Sequence, residues 1–503
     1  MLFNSNIFIF AFLPIVFFGF FGIGKLSHKL AALWLAAGSL FFYAWWNSHF
    51  VALLLGSIAF NYTASYVIGY LAARGRSTKI LLSMAIAANL MLLGFYKYAN
   101  FFVDNVNHLA GTSLSIAHIV LPLGISFFTF TQIAFLVDTH QGKVTERNFI
   151  YYTLFVTYFP HLIAGPILHH KEMMPQFAKR SVSNLNWDNI AVGLTIFVLA
   201  LAKKVMIADS LSEFSTPLFE LVKAGGQPML LEAWVGVLAY TLQLYFDFSA
   251  YSDMAIGLSL MFNVRLPMNF NSPYKATNII DFWRRWHMTL SHFLRDYLYI
   301  PLGGSRNGST HRYLNLMITM LLGGLWHGAG WTFVIWGGLH GFYLMVNHAW
   351  RALKGRMGWR DGGRLAKLGA GALTFLVVVI AWVFFRADSF TSAEMLLRAM
   401  VGVNGTMEKW APVREGLKLI LPCLLCVFLL PNLRQVFLRY RPTCEDMKDD
   451  GQSTPIVSAP SNAYLFSFLQ WQPTKIYAWA TGLIFLFSVN QLTRVSEFLY
   501  FQF

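Results

Sequence analysis

The chain has 503 residues and a formal net charge of +15, yet 56% of its residues are hydrophobic and only 12% are charged. Ordinary soluble domains carry about 25% charged residues. A soluble chain this apolar could not cover its own surface, so the composition points to a polytopic membrane protein packed as one bundle. The basic residues cluster in short loops between apolar runs, as the positive-inside rule demands, and form no stripe or recognition module, so no nucleic-acid partner is expected. Three cysteines supply neither a disulfide framework nor a metal-ligand spacing.

The N-terminal run MLFNSNIFIFAFLPIVFFGFFGIG lacks the basic start and small-residue cleavage site of a signal peptide, and reads as a retained first span. Apolar runs at about 2–22, 30–46, 50–72 and 79–97 are long enough to cross a bilayer, the second being slightly short. Lys25 and Lys29, then Arg74, Arg76 and Lys79, mark the turns after the first and third runs as cytoplasmic, which puts the N-terminus outside. A run at 117–137 leads into the polar turn QGKVTERN. Next, YYTLFVTYFPHLIAGPILHH carries Pro160, Gly165 and Pro166 between two basic loops. It reads either as a segment that enters the membrane and returns, or as one kinked span.

Residues 189–207 and 228–247 are further predicted spans, with Lys203 and Lys204 placed to snorkel to an interface. YFDFSAYSDMAIG then sets Asp247 and Asp253 among apolar and small residues, where a carboxylate faces a cavity, pairs with a base or caps a helix end. Residues 262–312 contain no spanning run and carry seven basic residues, among them Arg265, Arg284, Arg285 and Arg295, so they read as cytoplasmic. Within them, DFWRRWHMTLSHFLRDYLYI places Phe282, Trp286, Phe293, Tyr297 and Ile300 roughly on one side of a helix. The spacing predicts an amphipathic helix lying at the interface.

LLGGLWHGAGWTFVIWGGLHG (Leu321–Gly341) follows, with His327 in an otherwise apolar, aromatic and glycine-rich run. An ionisable side chain in that setting is a functional-site candidate, and its glycines allow close helix approach. The loops at Arg312 and at 351–367 are both basic, so the chain leaves the cytoplasm and returns with His327 near the turn. The 14 residues from Tyr313 to Trp326 rise about 21 Å as a helix, which sets His327 beyond the midplane of a core about 30 Å thick. Spans at about 368–385, 416–431 and 475–490 complete the chain, with a polar loop at 434–474.

Two histidines draw attention: His327, and His287 in RRWHMTL. Desolvation favours the neutral imidazole, which is the form a general base requires, although a lone histidine in an apolar run is commonly a buried structural residue. His161, His169, His170 and His340 have no comparable case. His169 and His170, read as neighbours on one helix, do not share a face, so no metal site is expected. No G-x-S-x-G elbow, Walker loop or HExxH zinc motif occurs.

FWRRWHMTLSHFLRDYLYIPLGGSR paired with LLGGLWHGAGWTFVIWGGLHG resembles the membrane-bound O-acyltransferases, and within them the bacterial branch of alginate O-acetyltransferase membrane subunits. LPLGISFFTFTQIAFLVD, YFPHLIAGPI, FDFSAYSDMAIG and the terminal EFLYFQF match in the same order, over essentially the whole chain. The resemblance implies an all-α ring of roughly 11–13 transmembrane helices plus re-entrant and interfacial helices around a central tunnel. The chain would form one domain, 1–503, with N-terminal helices (1–114), an acyltransferase core (115–350) and C-terminal helices (351–503). His327 is then the catalytic histidine, and His287 occupies the position where many eukaryotic relatives carry Asn or Asp.

The reaction this implies is acyl transfer from a cytoplasmic thioester to a hydroxyl, with His327 deprotonating or orienting the acceptor and His287 positioning or polarising the thioester. Arg284, Arg285 and Arg295 are candidates for donor phosphates, or ordinary positive-inside residues. Trp286 and Trp326 are candidates for lining the donor site, and Asp247, Asp253 and Asp296 for tunnel or structural polar roles. No permanently bound cofactor is expected, and acetyl-CoA is the expected donor substrate. The resemblance further implies the bacterial inner membrane, contact with membrane lipids, an exported polysaccharide acceptor and a periplasmic SGNH-like acetyltransferase partner. Acetylation of cellulose or peptidoglycan, D-alanyl transfer to teichoic acid, a non-catalytic lipid or acyl transporter, and a secretion-complex scaffold are the alternatives.

Overall fold

A computed structural model describes residues 1–117, 119–163, 165–359, 362–407, 410–450, 469–492 and 499. Every regular element among them is helical. Among the described residues, four helices are long and apolar enough to cross a membrane: His49–Ala73, Lys79–Ala110, Trp187–Lys223 and Arg364–Arg386. A shorter apolar helix, Phe8–Gly24, takes up the first predicted span.

Several elements differ from their sequence-based expectation. The predicted span at 228–247 is the start of a 32-residue helix, Leu230–Met261, which also carries Asp247 and Asp253. The stretch after Asn148 forms two nine-residue helices, Phe149–Thr157 and His170–Ala178, separated by turns around Pro160 and Pro166. Each is about 14 Å long, so the single kinked span is ruled out and the broken segment remains. His169 lies outside the second helix as its N-cap, with extended backbone. Lys204 does not snorkel; it is buried, with Nζ 2.6 Å from Asp209 Oδ1 and 2.7 Å from Asp247 Oδ1.

The chain divides into two compact units. The first comprises Met1–Leu201, Tyr251–Met268 and Leu433–Arg494. In it, Asn61 and Asn89 exchange side-chain hydrogen bonds of 3.0 and 2.7 Å between the two long N-terminal helices. Gln132 extends this network by donating to Ser57 Oγ at 2.9 Å while Tyr152 donates to its Oε1 at 3.1 Å. With lipid outside, helices gain no hydrophobic drive to associate, and such interhelical hydrogen bonds help hold them.

The second unit comprises Ala202–Ala250, Asn269–Asn432 and Val495–Phe503. The helix predicted for 281–300 is broken there. Residues Ile279–Trp283 and Met288–Leu294 are helical, and His287 between them has φ +43° and ψ +54°. A β-carbon makes this left-handed region costly for any residue but glycine, by about 1–2 kcal/mol. Tertiary hydrogen bonds hold it: Asn271 N donates to Arg285 O and Met288 N to Asn269 O, both at 2.9 Å. Helix Gly308–His327 then runs antiparallel to Trp331–Arg356, with the chain reversing at Gly328–Gly330. A β-carbon on Gly324 would collide with the Phe333 carbonyl, and one on Gly337 with the Met320 carbonyl. The two helices therefore touch backbone to backbone, which brings the end of the first, His327, against the start of the second.

Candidate active site

Both candidate histidines lie in the second unit, and the fold brings them together. His327 is the last residue of its helix and 6% exposed; His287 is fully buried. Their ring centroids are 6.4 Å apart. Trp326, Trp336 and Phe385 pack around His327 at 4.9, 5.1 and 5.2 Å. Phe248 meets the His287 ring edge to face at 4.9 Å. The result is an aromatic cage in which the two imidazoles meet edge to face, their planes 60° apart.

Asn269 fixes the chemistry of His287. Its side-chain oxygen accepts from Thr289 N (3.3 Å) and Thr289 Oγ1 (2.9 Å), and it lies 3.1 Å from His287 Nδ1. An oxygen can only accept, so Nδ1 carries the proton and Nε2 presents a lone pair. Burial pushes the His287 pKa down to about 3, which keeps the ring neutral. A neutral His287 in this tautomer accepts protons and cannot polarise a thioester carbonyl by donating to it. That narrows the expectation for His287 to positioning or base work.

A family model for MBOAT, the membrane-bound O-acyltransferase family, matches residues 80–387, which include both histidines. The chain is a membrane-bound O-acyltransferase. It is 39% identical over 542 aligned positions, covering 100% of both chains, to the “Probable alginate O-acetylase AlgI” of Pseudomonas aeruginosa. It is 46% identical over 432 positions, covering 80% of each chain, to the peptidoglycan O-acetyltransferase of Helicobacter pylori. Similarity to the teichoic acid D-alanyltransferase of Streptococcus thermophilus is lower, at 26% over 45% of this chain and 57% of that one. The protein is thus an all-α, multi-pass membrane O-acyltransferase resembling alginate O-acetylases.

The remaining predicted site residues of this O-acyltransferase scatter. Arg285 is committed to Asp281 at 2.9 Å and to the Asn271 carbonyl at 3.3 Å, and Arg295 makes a two-pronged pair with its neighbour Asp296 at 2.7 and 3.0 Å. Of the three arginines, Arg284 alone is exposed without such an internal pairing. Asp247 is buried against Lys204 and accepts from the Leu499 backbone N–H at 3.1 Å, a structural ion pair rather than a tunnel group. Asp253 belongs to the first unit, whereas His287 and His327 belong to the second. Trp286 is buried between Phe270, at 5.0 Å, and Trp382, at 4.9 Å.

In the first unit, His169 and His170 both place Nε2 2.9 Å from Asp138 Oδ2. The shared-face argument against them fails, because His169 is not helical. These three groups are close enough to hold a cation. However, His169 Nδ1 accepts the Lys171 backbone N–H at 3.3 Å, which leaves the imidazole proton on Nε2, where it is donated to Asp138. The cluster is therefore a hydrogen-bonded carboxylate clamp in this geometry.

Asn269, Trp336, Trp382 and Phe385 adjoin the histidine pair and were not singled out by sequence, and His340, set aside there, packs against Trp336 as well. The Trp336–His340 spacing of four residues on one helix face is a signal that could have found those two. Nothing in the loop PMNFNSPY marks Asn269 as the partner of a histidine 18 residues later.

Proposed function

We propose that the protein transfers an acetyl group from a cytoplasmic thioester, acetyl-CoA, toward O-acetylation of an exported polysaccharide, with a periplasmic SGNH-like transferase as partner. The observation that carries this reading is the His287–His327 pair, buried edge to face in an aromatic cage with the His287 tautomer set by Asn269. Its support from relatives is that an alginate O-acetylase matches along the full chain and a peptidoglycan O-acetyltransferase along most of it. Both act on glycan hydroxyls by name.

In this reading His327 takes the proton of the acceptor hydroxyl or orients it. The acceptor oxygen attacks the thioester carbon, the C–S bond breaks, and the sulfur leaves with the bonding pair and recovers the proton. His287, neutral and accepting through Nε2, positions a donor proton-bearing group rather than polarising the carbonyl. Exclusion of water by the surrounding Trp and Phe side chains protects the thioester from hydrolysis. The N-terminus faces the periplasm, and Arg284 is the arginine best placed for donor phosphate.

The competing transporter and scaffold readings differ in one outcome. His327→Ala in the producing cell should abolish ester acetate on the exported polymer while protein level and membrane insertion stay normal. Polymer acetylated to the wild-type extent would contradict the enzymatic assignment of His327.

A further inference from the structure

The reaction calls for a hydrogen-bond donor that His287, in its tautomer, does not provide. As the acceptor oxygen bonds to the carbonyl carbon, the C=O π pair moves onto oxygen and an oxyanion forms. Its collapse restores C=O and expels sulfur with the C–S pair. Preorganised donors aimed at that oxygen are commonly the largest single contribution to such catalysis. His287 presents a lone pair there, not a proton.

A third histidine has the opposite arrangement. His340 is fully buried, and its Nδ1 accepts from Trp283 Nε1 at 3.2 Å. An indole nitrogen can only donate, so the His340 proton sits on Nε2. That Nε2–H is buried and has no hydrogen-bond partner among the described residues. Trp336 is 1% exposed and its Nε1–H is likewise buried without a partner. The Trp336 ring touches both histidines, 4.8 Å from His340 and 5.1 Å from His327. An orphaned buried donor is costly, so two on adjoining rings beside the candidate base call for an acceptor brought in from outside.

The tautomer is also built in. Trp283 ends helix Ile279–Trp283, whose N-terminus is capped by Asn278 accepting from Asp281 N at 3.0 Å. The His340 ring is stacked parallel to Phe282, with centroids 6.1 Å apart and planes 10° apart. Ring plane and proton position are both held before any substrate arrives.

We infer that His340, through Nε2–H and together with the Trp336 indole N–H, is the donor that stabilises the oxyanion of the acyl thioester. The inference rests on the acetyl-transfer reading above. It divides the work among the histidines: His327 manages the acceptor proton, His287 accepts, and His340 donates.

The test compares His340→Phe, which keeps a planar ring and loses the donor, with His340→Gln, which keeps a side-chain N–H. Inside-out membrane vesicles of the producing cell retain the native acceptors and are supplied with labelled acetyl-CoA. His340→Phe should lower kcat about 10²–10³-fold, the usual loss for one oxyanion donor, with KM for acetyl-CoA little changed. His340→Gln should recover a large part of that loss. In the purified full chain, the infrared carbonyl stretch of bound [1-¹³C]acetyl-CoA should lie lower in wild type and His340→Gln than in His340→Phe.

Normal kcat in His340→Phe would overturn the assignment alone. So would equal losses in both variants with an unchanged carbonyl stretch, since that is the behaviour of a merely structural residue. Vesicles of wild type that transfer no acetyl from acetyl-CoA would instead contradict the functional reading, and this inference would fall with it.

Discussion

At the scale of single residues, the chemistry turns on which nitrogen of each imidazole holds the proton. Asn269 sets this for His287 and is itself held by two bonds from Thr289. Asn269→Ala should free the ring to change tautomer and lower kcat by about 10- to 100-fold, within the range of a positioned proton-transfer group. Asn269→Asp, which keeps an acceptor oxygen, should retain more activity than Asn269→Ala in the same vesicle assay. The depressed pKa of His287, about 3 in the folded protein against about 6.5 for an unperturbed histidine, makes a second expectation. The unfolded chain binds this proton more readily than the folded one, so the stability contribution is complete above about pH 6.5 and is lost as pH falls toward 3. Melting temperature in detergent should decline with acidification across that window, and His287→Asn should weaken the dependence.

At the scale of elements, hydropathy made the long spans legible, because a helix of the right length must be apolar all along. The glycines of LLGGLWHGAGWTFVIWGGLHG likewise announced a close helix approach, and the hairpin Gly308–His327 with Trp331–Arg356 makes it. Gly324→Val should therefore lower the melting temperature sharply, because its β-carbon meets the Phe333 carbonyl rather than a movable side chain. Gly338→Ala is the control: its added carbon would sit 3.6 Å from Leu321 Cδ2, an ordinary contact, and should leave melting nearly unchanged. What periodicity could not reveal was the break at His287. The helical spacing runs straight through it, and backbone hydrogen bonds across the loop, Met288 N to Asn269 O and Asn271 N to Arg285 O, hold a histidine at positive φ. Lys204 was misread for a similar reason. A lysine near a predicted span end looks like a snorkelling residue until Asp247, on a different helix, is found 2.7 Å away. His169 and His170 show the same limit, since a one-residue shift in where a helix begins changes which groups can meet.

At the scale of the whole molecule, family membership and the two histidine motifs were readable because WHG in a glycine-rich hairpin and RRWH in a basic loop are specific in combination. The further parts of the site were not, because Trp336, Trp382 and Phe385 look like any aromatic residues of an apolar helix until packing sets Trp336 and Phe385 against His327 and Trp382 against Trp336. The central claim is that this gathered pair of histidines moves an acetyl group from a thioester to a hydroxyl. The direct measurement is acetyl transfer by the purified full chain, supplied with acetyl-CoA and the proposed periplasmic partner, in wild type and His327→Ala. Labelled acetate should appear on the proposed partner or its glycan with wild type, and transfer should fall by at least about 10²-fold with His327→Ala. Equal transfer by the two proteins, at equal amounts of folded protein, would contradict it.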